Sequence, residues 1–268
     1  MVRKRVLSAL LLGVILGGTV AFADSLTVLK VGATPVPHAA ILRFIAPILK
    51  EKGIDLQVVE FTDYVQPNLA LQAKELDANY FQHLPYLKDF NAKNGTTIVP
   101  GTAVHFEPLG LYPGRTKTIA GLKNGAIIAV PNDTTNEARA LLLLEAAGII
   151  KVNHDKGLQT TARDITANPK KIKIKELEAA QIARALPDVD LAVINGNYAI
   201  EAGLNAATDA LKAEDKSSLA AKTYANFIAT RQGDENRPEI KALEEAITSD
   251  AVRKFINDTY KGAVVPVF

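Results

Sequence analysis

Tyr80, Phe81, His83 and Tyr86 fall close together in a chain with only 6% aromatic residues and no tryptophan. They belong to Asp77-Ala78-Asn79-Tyr80-Phe81-Gln82-His83-Leu84-Pro85-Tyr86, which reads as a strand end followed by a helix with proline in its first turn. Rings with polar tips at the C-terminal end of a strand suit the wall of a small-ligand pocket. The same residues also fit a core strand and a helix with buried aromatics.

A second stretch, Pro131-Asn132-Asp133-Thr134-Thr135-Asn136-Glu137-Ala138-Arg139, joins an apolar strand to a helix. Thr134-x-x-Glu137 fits a capping box, and the free N–H groups at such a start favour an anion. Arg139 can grip a carboxylate through two parallel hydrogen bonds, although a capped helix with a surface ion pair accounts for the same residues. Asn195-Gly196-Asn197-Tyr198 follows another apolar strand and offers amide oxygens to an ammonium, or is simply a turn. Asn226, within Tyr224-Ala225-Asn226-Phe227, needs a partner if buried, and a ligand can be that partner.

Signals for catalysis are weak. Serine occurs at positions 8, 25, 217, 218 and 249, none in a nucleophile-elbow setting, and there is no Walker loop, GxGxxG or HExxH. His38, His83, His105 and His154 are dispersed and no carboxylate cluster accompanies them, so neither a metal nor a cofactor is expected. A secreted α/β hydrolase with an unrecognised carboxylate pair is the enzyme alternative.

The elements that must position these residues alternate. Strands are expected over 29–33, 56–61, 76–81 and 97–104, with helices over 39–51, 65–74 and 85–93 between them. After a turn-rich break over 112–125 come a strand at 126–130, a helix at 135–147 and a strand at 172–177. Helix at 179–185, strand at 189–194, a short helix at 198–203, strand at 223–230 and one helix over 238–260 complete the pattern; 151–171 reads as polar loop. Such alternation argues for helix-flanked, mainly parallel sheets, here in two α/β lobes.

Arg3, Lys4 and Arg5, an apolar run over 6–20 and Ala21-Phe22-Ala23 read as a signal peptide over 1–23, with a retained anchor as the rival. Of 31 basic and 29 acidic residues, three basic ones sit in this leader, leaving 28 against 29, or −1. That balance does not point to nucleic acid. With no cysteine there is no disulfide, thiolate site or lipid-modified cysteine, so a protein free in the periplasm is expected.

The segment Val31-Gly32-Ala33-Thr34-Pro35-Val36-Pro37-His38-Ala39 resembles the opening of the NlpA-type methionine-binding lipoproteins. Further resemblance lies in Phe61-Thr62-Asp63-Tyr64-Val65-Gln66-Pro67-Asn68, residues 79–86, His105-Phe106-Glu107-Pro108-Leu109-Gly110, 131–139, 186–198 and 224–227. It implies a two-lobe periplasmic binding protein fold (type II) with the ligand in the interlobe cleft. Lobe 1 would be 24–112 plus 225–268, and lobe 2 would be 113–224. By position the resemblance makes Tyr64, Phe81, His83 and Tyr86 first-lobe pocket residues. It makes Arg139 the carboxylate-binding arginine, and Asn197 and Asn226 polar contacts to an amino acid backbone. The implied function is capture of methionine for an ABC importer, a membrane permease with its ATPase, by a monomer that is not an enzyme. Another amino acid or a methionine-containing dipeptide is the alternative ligand. The family's cysteine at the mature N-terminus is replaced here by Ala23-Asp24.

Overall fold

The computed structural model describes residues 26–216 and 219–268. The leader expected over residues 1–23 lies outside them. Two main sheets organise the chain. The first has six strands in the order Val265–Pro266, Ile98–Phe106, Asn226–Arg231, Ala78–His83, Thr27–Ala33 and Ile54–Glu60. The strands Ile54–Glu60, Thr27–Ala33 and Ala78–His83 run parallel, and Asn226–Arg231 is antiparallel to both of its neighbours. The second has five strands in the order Lys212–Ala213, Gly110–Pro113, Leu191–Ile194, Ile127–Pro131 and Lys173–Leu177.

Burial follows the pattern each element was built with. Leu29, Val31 and Ala33 alternate into the first core, whereas all six residues of Ala78–His83 are buried because helices cover both faces of that central strand. The helix Ala40–Glu51 packs Ile41, Leu42, Ile45 and Leu49 against the first sheet at helical spacing. Leu111, Ile128, Val130, Leu141 and Leu144 belong to a separate core around the second sheet. Each sheet thus has its own apolar interior, the mark of two lobes.

The structure departs from the expected elements in four places, the first being the expected polar loop 151–171, where Lys151–Val152 and Ile165–Ala167 pair as a small antiparallel sheet around two short helical turns. Gly110–Pro113, read as part of a turn-rich break, is a buried strand paired antiparallel with Leu191–Ile194. The lobe division expected after residue 112 therefore falls inside a strand of the second sheet. The single helix expected over 238–260 is two, Pro238–Ile247 and Asp250–Tyr260, because the Ser249 hydroxyl caps a new start at Val252 N (3.4 Å). Residues Leu219–Thr223 are helical, and the last long strand begins at Asn226 rather than 223.

One edge of each sheet faces the other. His83 ends one strand of the first sheet and Asn226 begins its neighbour, opposite both His83 and His105. Pro131 and Ile194 end parallel strands of the second sheet. The chain crosses between the sheets between Phe106 and Gly110, and again before Asn226.

Candidate functional site

His83 caps the helix Leu84–Asn94: its Nδ1 accepts from Tyr86 N at 3.2 Å, with Pro85 in the first turn. That contact fixes the tautomer. The proton is left on Nε2, which donates to Asn136 Oδ1 at 3.1 Å. Burial, with the Arg139 charge nearby, lowers the His83 pKa to about 3, so the ring is a neutral donor.

Asn136 stands in the first turn of the helix Thr134–Ala146, whose cap is Asp133 and not the expected Thr134. Glu137 does not close a capping box; it accepts from Ala162 N at 2.8 Å. Asp133 accepts from Asn136 Nδ2 at 2.9 and 3.0 Å, which turns Asn136 Oδ1 toward His83 and toward Asn195 Nδ2 (3.0 Å). Asn195 Oδ1 is then the end of the chain, buried without a partner among the described residues. Each amide orientation follows from the one before, beginning with a carboxylate that only accepts.

Tyr64 acts similarly on Asn197. Its hydroxyl donates to Asn197 Oδ1 at 2.6 Å, so Asn197 Nδ2 points elsewhere and is also buried without a partner. Tyr86 in turn donates to Tyr64 O at 2.7 Å, and the rings of Tyr64, Phe81 and Tyr86 pack with centroids 5.9 to 6.0 Å apart.

Arg139 is buried, but its fork is already engaged. Nε and Nη2 donate to the two oxygens of Glu214 at 2.7 and 2.5 Å, and Nη2 also donates to Glu107 O at 3.0 Å. The Tyr224 ring lies 4.1 Å from its Cζ, a cation–π contact. The surface ion pair weighed for this residue is therefore a nearly dry one.

All seven expected residues, Tyr64, Phe81, His83, Tyr86, Arg139, Asn197 and Asn226, line one cavity. Glu107, Asn136, Asn195, Gly196 and Gln82 complete its wall. Asn136, Asn195 and Glu107 lay inside motifs the sequence singled out without being chosen themselves. Glu214 had no signal at all. Four side-chain hydrogen bonds among the described residues join the lobes and describe a closed form: Tyr64 to Asn197, His83 to Asn136, Lys93 Nζ to Thr134 Oγ1, and Tyr198 Oη to Thr62 O (3.0 Å).

The histidines are less dispersed than their spacing suggested. His38, His105 and Glu107 meet with ligating atoms within 4.8 Å of one another, the group among the described residues that most nearly suits a metal. Every ring nitrogen nevertheless has a partner. His38 Nδ1 meets Thr34 Oγ1 at 2.7 Å, and His105 Nδ1 meets the Tyr80 hydroxyl. Glu107 Oε1 lies 2.6 Å from His105 Nε2 and 3.4 Å from His38 Nε2. Burial lowers the two pKa values to about 3 and about 4, and raises that of Glu107. His38 Nε2 donates to Asn226 Oδ1 at 3.1 Å and His105 Nε2 to Glu107, so two neutral rings satisfy this cluster without an ion.

Two sheets with separate cores, joined by two crossings around a buried polar cavity, define a two-lobe binding protein of the periplasmic type. Within that class the chain belongs to the NlpA lipoprotein family, whose model matches residues 29–268. It is 41% identical over 241 residues to the methionine-binding lipoprotein MetQ of Bacillus subtilis, covering 88% of this chain and 87% of that one. It is 40% identical over 235 residues to the membrane lipoprotein TpN32 of Treponema pallidum, covering 88% and 86%. A solved structure of a nutrient binding protein of Burkholderia cenocepacia bound to methionine superimposes with TM-score 0.85 at 43% identity, covering 90% of this chain and all of that one.

These relatives overturn the expectation of a protein free in the periplasm, since the family and both named relatives are lipoproteins, one of them named for the membrane. The expectation rested on the missing cysteine. Lack of one attachment chemistry does not establish a free protein, and the leader segment concerned lies outside the described residues.

Proposed function

We propose that this chain is an extracytoplasmic substrate-binding protein that captures methionine and delivers it to an ABC importer, a membrane permease with its ATPase. One observation carries the reading. An acceptor, Asn195 Oδ1, and a donor, Asn197 Nδ2, are buried without partners on the wall of a single cavity that Arg139 also lines. Buried polar atoms of both kinds are costly unless a ligand answers them, and an amino acid zwitterion supplies both complements. Tyr64, Phe81 and Tyr86 offer ring faces and edges to a thioether. The names of the relatives agree with this ligand.

In this reading Arg139 and Asn197 take the carboxylate and Asn226 contacts the amino acid backbone. His83 shapes the floor, and Tyr64 ties the lobes together once ligand is bound. The lobes divide near residues 107–109 and 224–225, and hinge closure follows because ligand touches both sides. The protein works as a monomer and turns nothing over.

The test is a thermal-shift panel on protein unfolded and refolded to strip any carried ligand. It covers the amino acids in both enantiomers and several methionyl dipeptides. Ligand at a hundredfold excess over its dissociation constant stabilises by about 2.7 kcal/mol, a visible shift. A shift with methionine alone supports the assignment. A larger shift with another amino acid or a dipeptide replaces the ligand, and conversion of any of them, followed by chromatography, removes the non-enzyme reading.

A further inference from the structure

Glu107 and Arg139 are the two charged side chains on the cavity wall. Their situations differ. Arg139 already has a carboxylate, Glu214, on two of its donors. Among the described residues Glu107 has no cation in contact: it accepts from His105 Nε2 and from the backbone N–H of Asn197, and lies 3.4 Å from His38 Nε2, both rings being ones whose ionisation burial suppresses. The guanidinium of Arg139 touches the Glu107 carbonyl, not its carboxylate. With Arg139 answered by Glu214, Glu107 is the acidic group left on the wall without an ionic partner. A carboxylate so deep is expensive unless a cation comes to it.

We propose that Glu107 is the counter-charge for the ligand's ammonium, with Asn195 Oδ1 as a second acceptor, and that the site selects the amine more strictly than the carboxylate. The inference rests on the amino acid reading above and assigns a residue and a selectivity that this reading does not contain. Glu107 is suited to the task. It sits where the chain crosses between the sheets, and Gly196 leaves room for it: a Cβ there would stand 2.5 Å from Glu107 Cβ and 2.8 Å from Oε2. An ammonium held by Glu107 on one lobe's exit and Asn195 on the other lobe's strand end would also draw the lobes together.

Calorimetry on refolded protein tests this with three ligands: methionine, its 2-hydroxy analogue, and methioninamide. The 2-hydroxy analogue lacks the ammonium, and methioninamide keeps it without a carboxylate. A hydrogen bond to a charged group is worth about 10- to 100-fold in affinity. Wild type should therefore lose at least that factor with the hydroxy analogue, and less with methioninamide. Glu107→Gln should weaken methionine by a similar factor while leaving the hydroxy analogue unchanged, so the preference for the amine collapses. Glu107→Asp, which keeps the charge, should recover part of it. Equal losses for both ligands in Glu107→Gln would make Glu107 a structural residue and overturn the proposal, as would wild-type methionine affinity in that variant. The wild-type ligand series needs no variant to fold, and a stronger loss with methioninamide than with the hydroxy analogue also overturns it. If refolded wild type binds no amino acid at all, the underlying reading falls and takes this inference with it. If methionine binds but Glu107→Gln leaves its selectivity intact, only the inference falls.

Discussion

Glu214 holds Arg139 by two parallel contacts of 2.7 and 2.5 Å, reaching it from 75 residues further along the chain. The pair is nearly dry, with the side chains 5% and 11% exposed. Removing one partner strands the other's charge, which costs far more than the pair itself contributes. Arg139→Ala is therefore expected to lower stability by about 3–5 kcal/mol as well as weaken methionine binding. The double variant Arg139→Met with Glu214→Gln should recover most of the stability but not the binding. Urea unfolding curves and calorimetry read the two effects separately.

The hydroxyl of Tyr64 joins the lobes through Asn197 Oδ1 at 2.6 Å. Tyr64→Phe keeps the ring against Phe81 and Tyr86 and removes that single bond. A neutral hydrogen bond is worth about 0.5–1.5 kcal/mol, so methionine affinity should fall about threefold to tenfold. The loss should appear mainly as faster dissociation in stopped-flow fluorescence, since the bond exists only with the cleft closed. An unchanged dissociation rate would show that Tyr64 contributes packing alone.

His83 gives a pH signature. Its pKa is lowered from 6.5 to about 3 in the folded protein. Between those values the unfolded chain binds a proton that the folded chain refuses, so this group costs stability as pH falls below 6.5. From pH 7 to pH 5 the loss is about 2 kcal/mol. Burial raises the pKa of Glu107 and Asp133, and these groups act in the opposite sense by holding protons in the folded state. The comparison must therefore be between proteins. His83→Gln, which can still donate to Asn136, should lose about 2 kcal/mol less than wild type over that range, measured by denaturant unfolding at both pH values.

Gly196 is required by what lies against it. The Cβ of an alanine would overlap Glu107 Cβ and Oε2, and neither can move freely in a buried crossing. Gly196→Ala should destabilise the protein by about 1–3 kcal/mol, the usual cost of overpacking, and impair binding as well. A variant with native melting temperature and affinity would show that the crossing is softer than its packing implies.

Much of this site was legible because its residues cluster in sequence at strand ends. Residues 80–86 carried three aromatics and a histidine, and Asn195-Gly196-Asn197 followed an apolar strand; ligand atoms gather at such edges. Arg139 was legible as a cation at a helix start, but its partner was not, because Glu214 sits in a polar stretch with no periodicity and reaches the site only through the fold. The strand Gly110–Pro113 was hidden by its length and by the proline-glycine pair that ends it. His38 and His105 looked dispersed because the fold, not sequence spacing, brings the helical turn Pro35–Ala39 against the end of strand Ile98–Phe106 and puts their rings 4.9 Å apart.

The order of strands also sets a timetable for assembly. The second sheet is built from one uninterrupted stretch, residues 110–213, so it can close as soon as that stretch is available. The first cannot: Asn226–Arg231 lies in its middle, between Ile98–Phe106 and Ala78–His83, more than a hundred residues after either. Contacts so distant along the chain carry a large loop-closure cost, and the sheet they complete forms late. While the chain emerges from its N-terminus, the first lobe waits as two unjoined halves with an unpaired inner strand edge, the kind of surface that invites aggregation and chaperone capture. The last long strand to arrive opens on Asn226, so the cavity can be completed only after both sheets exist.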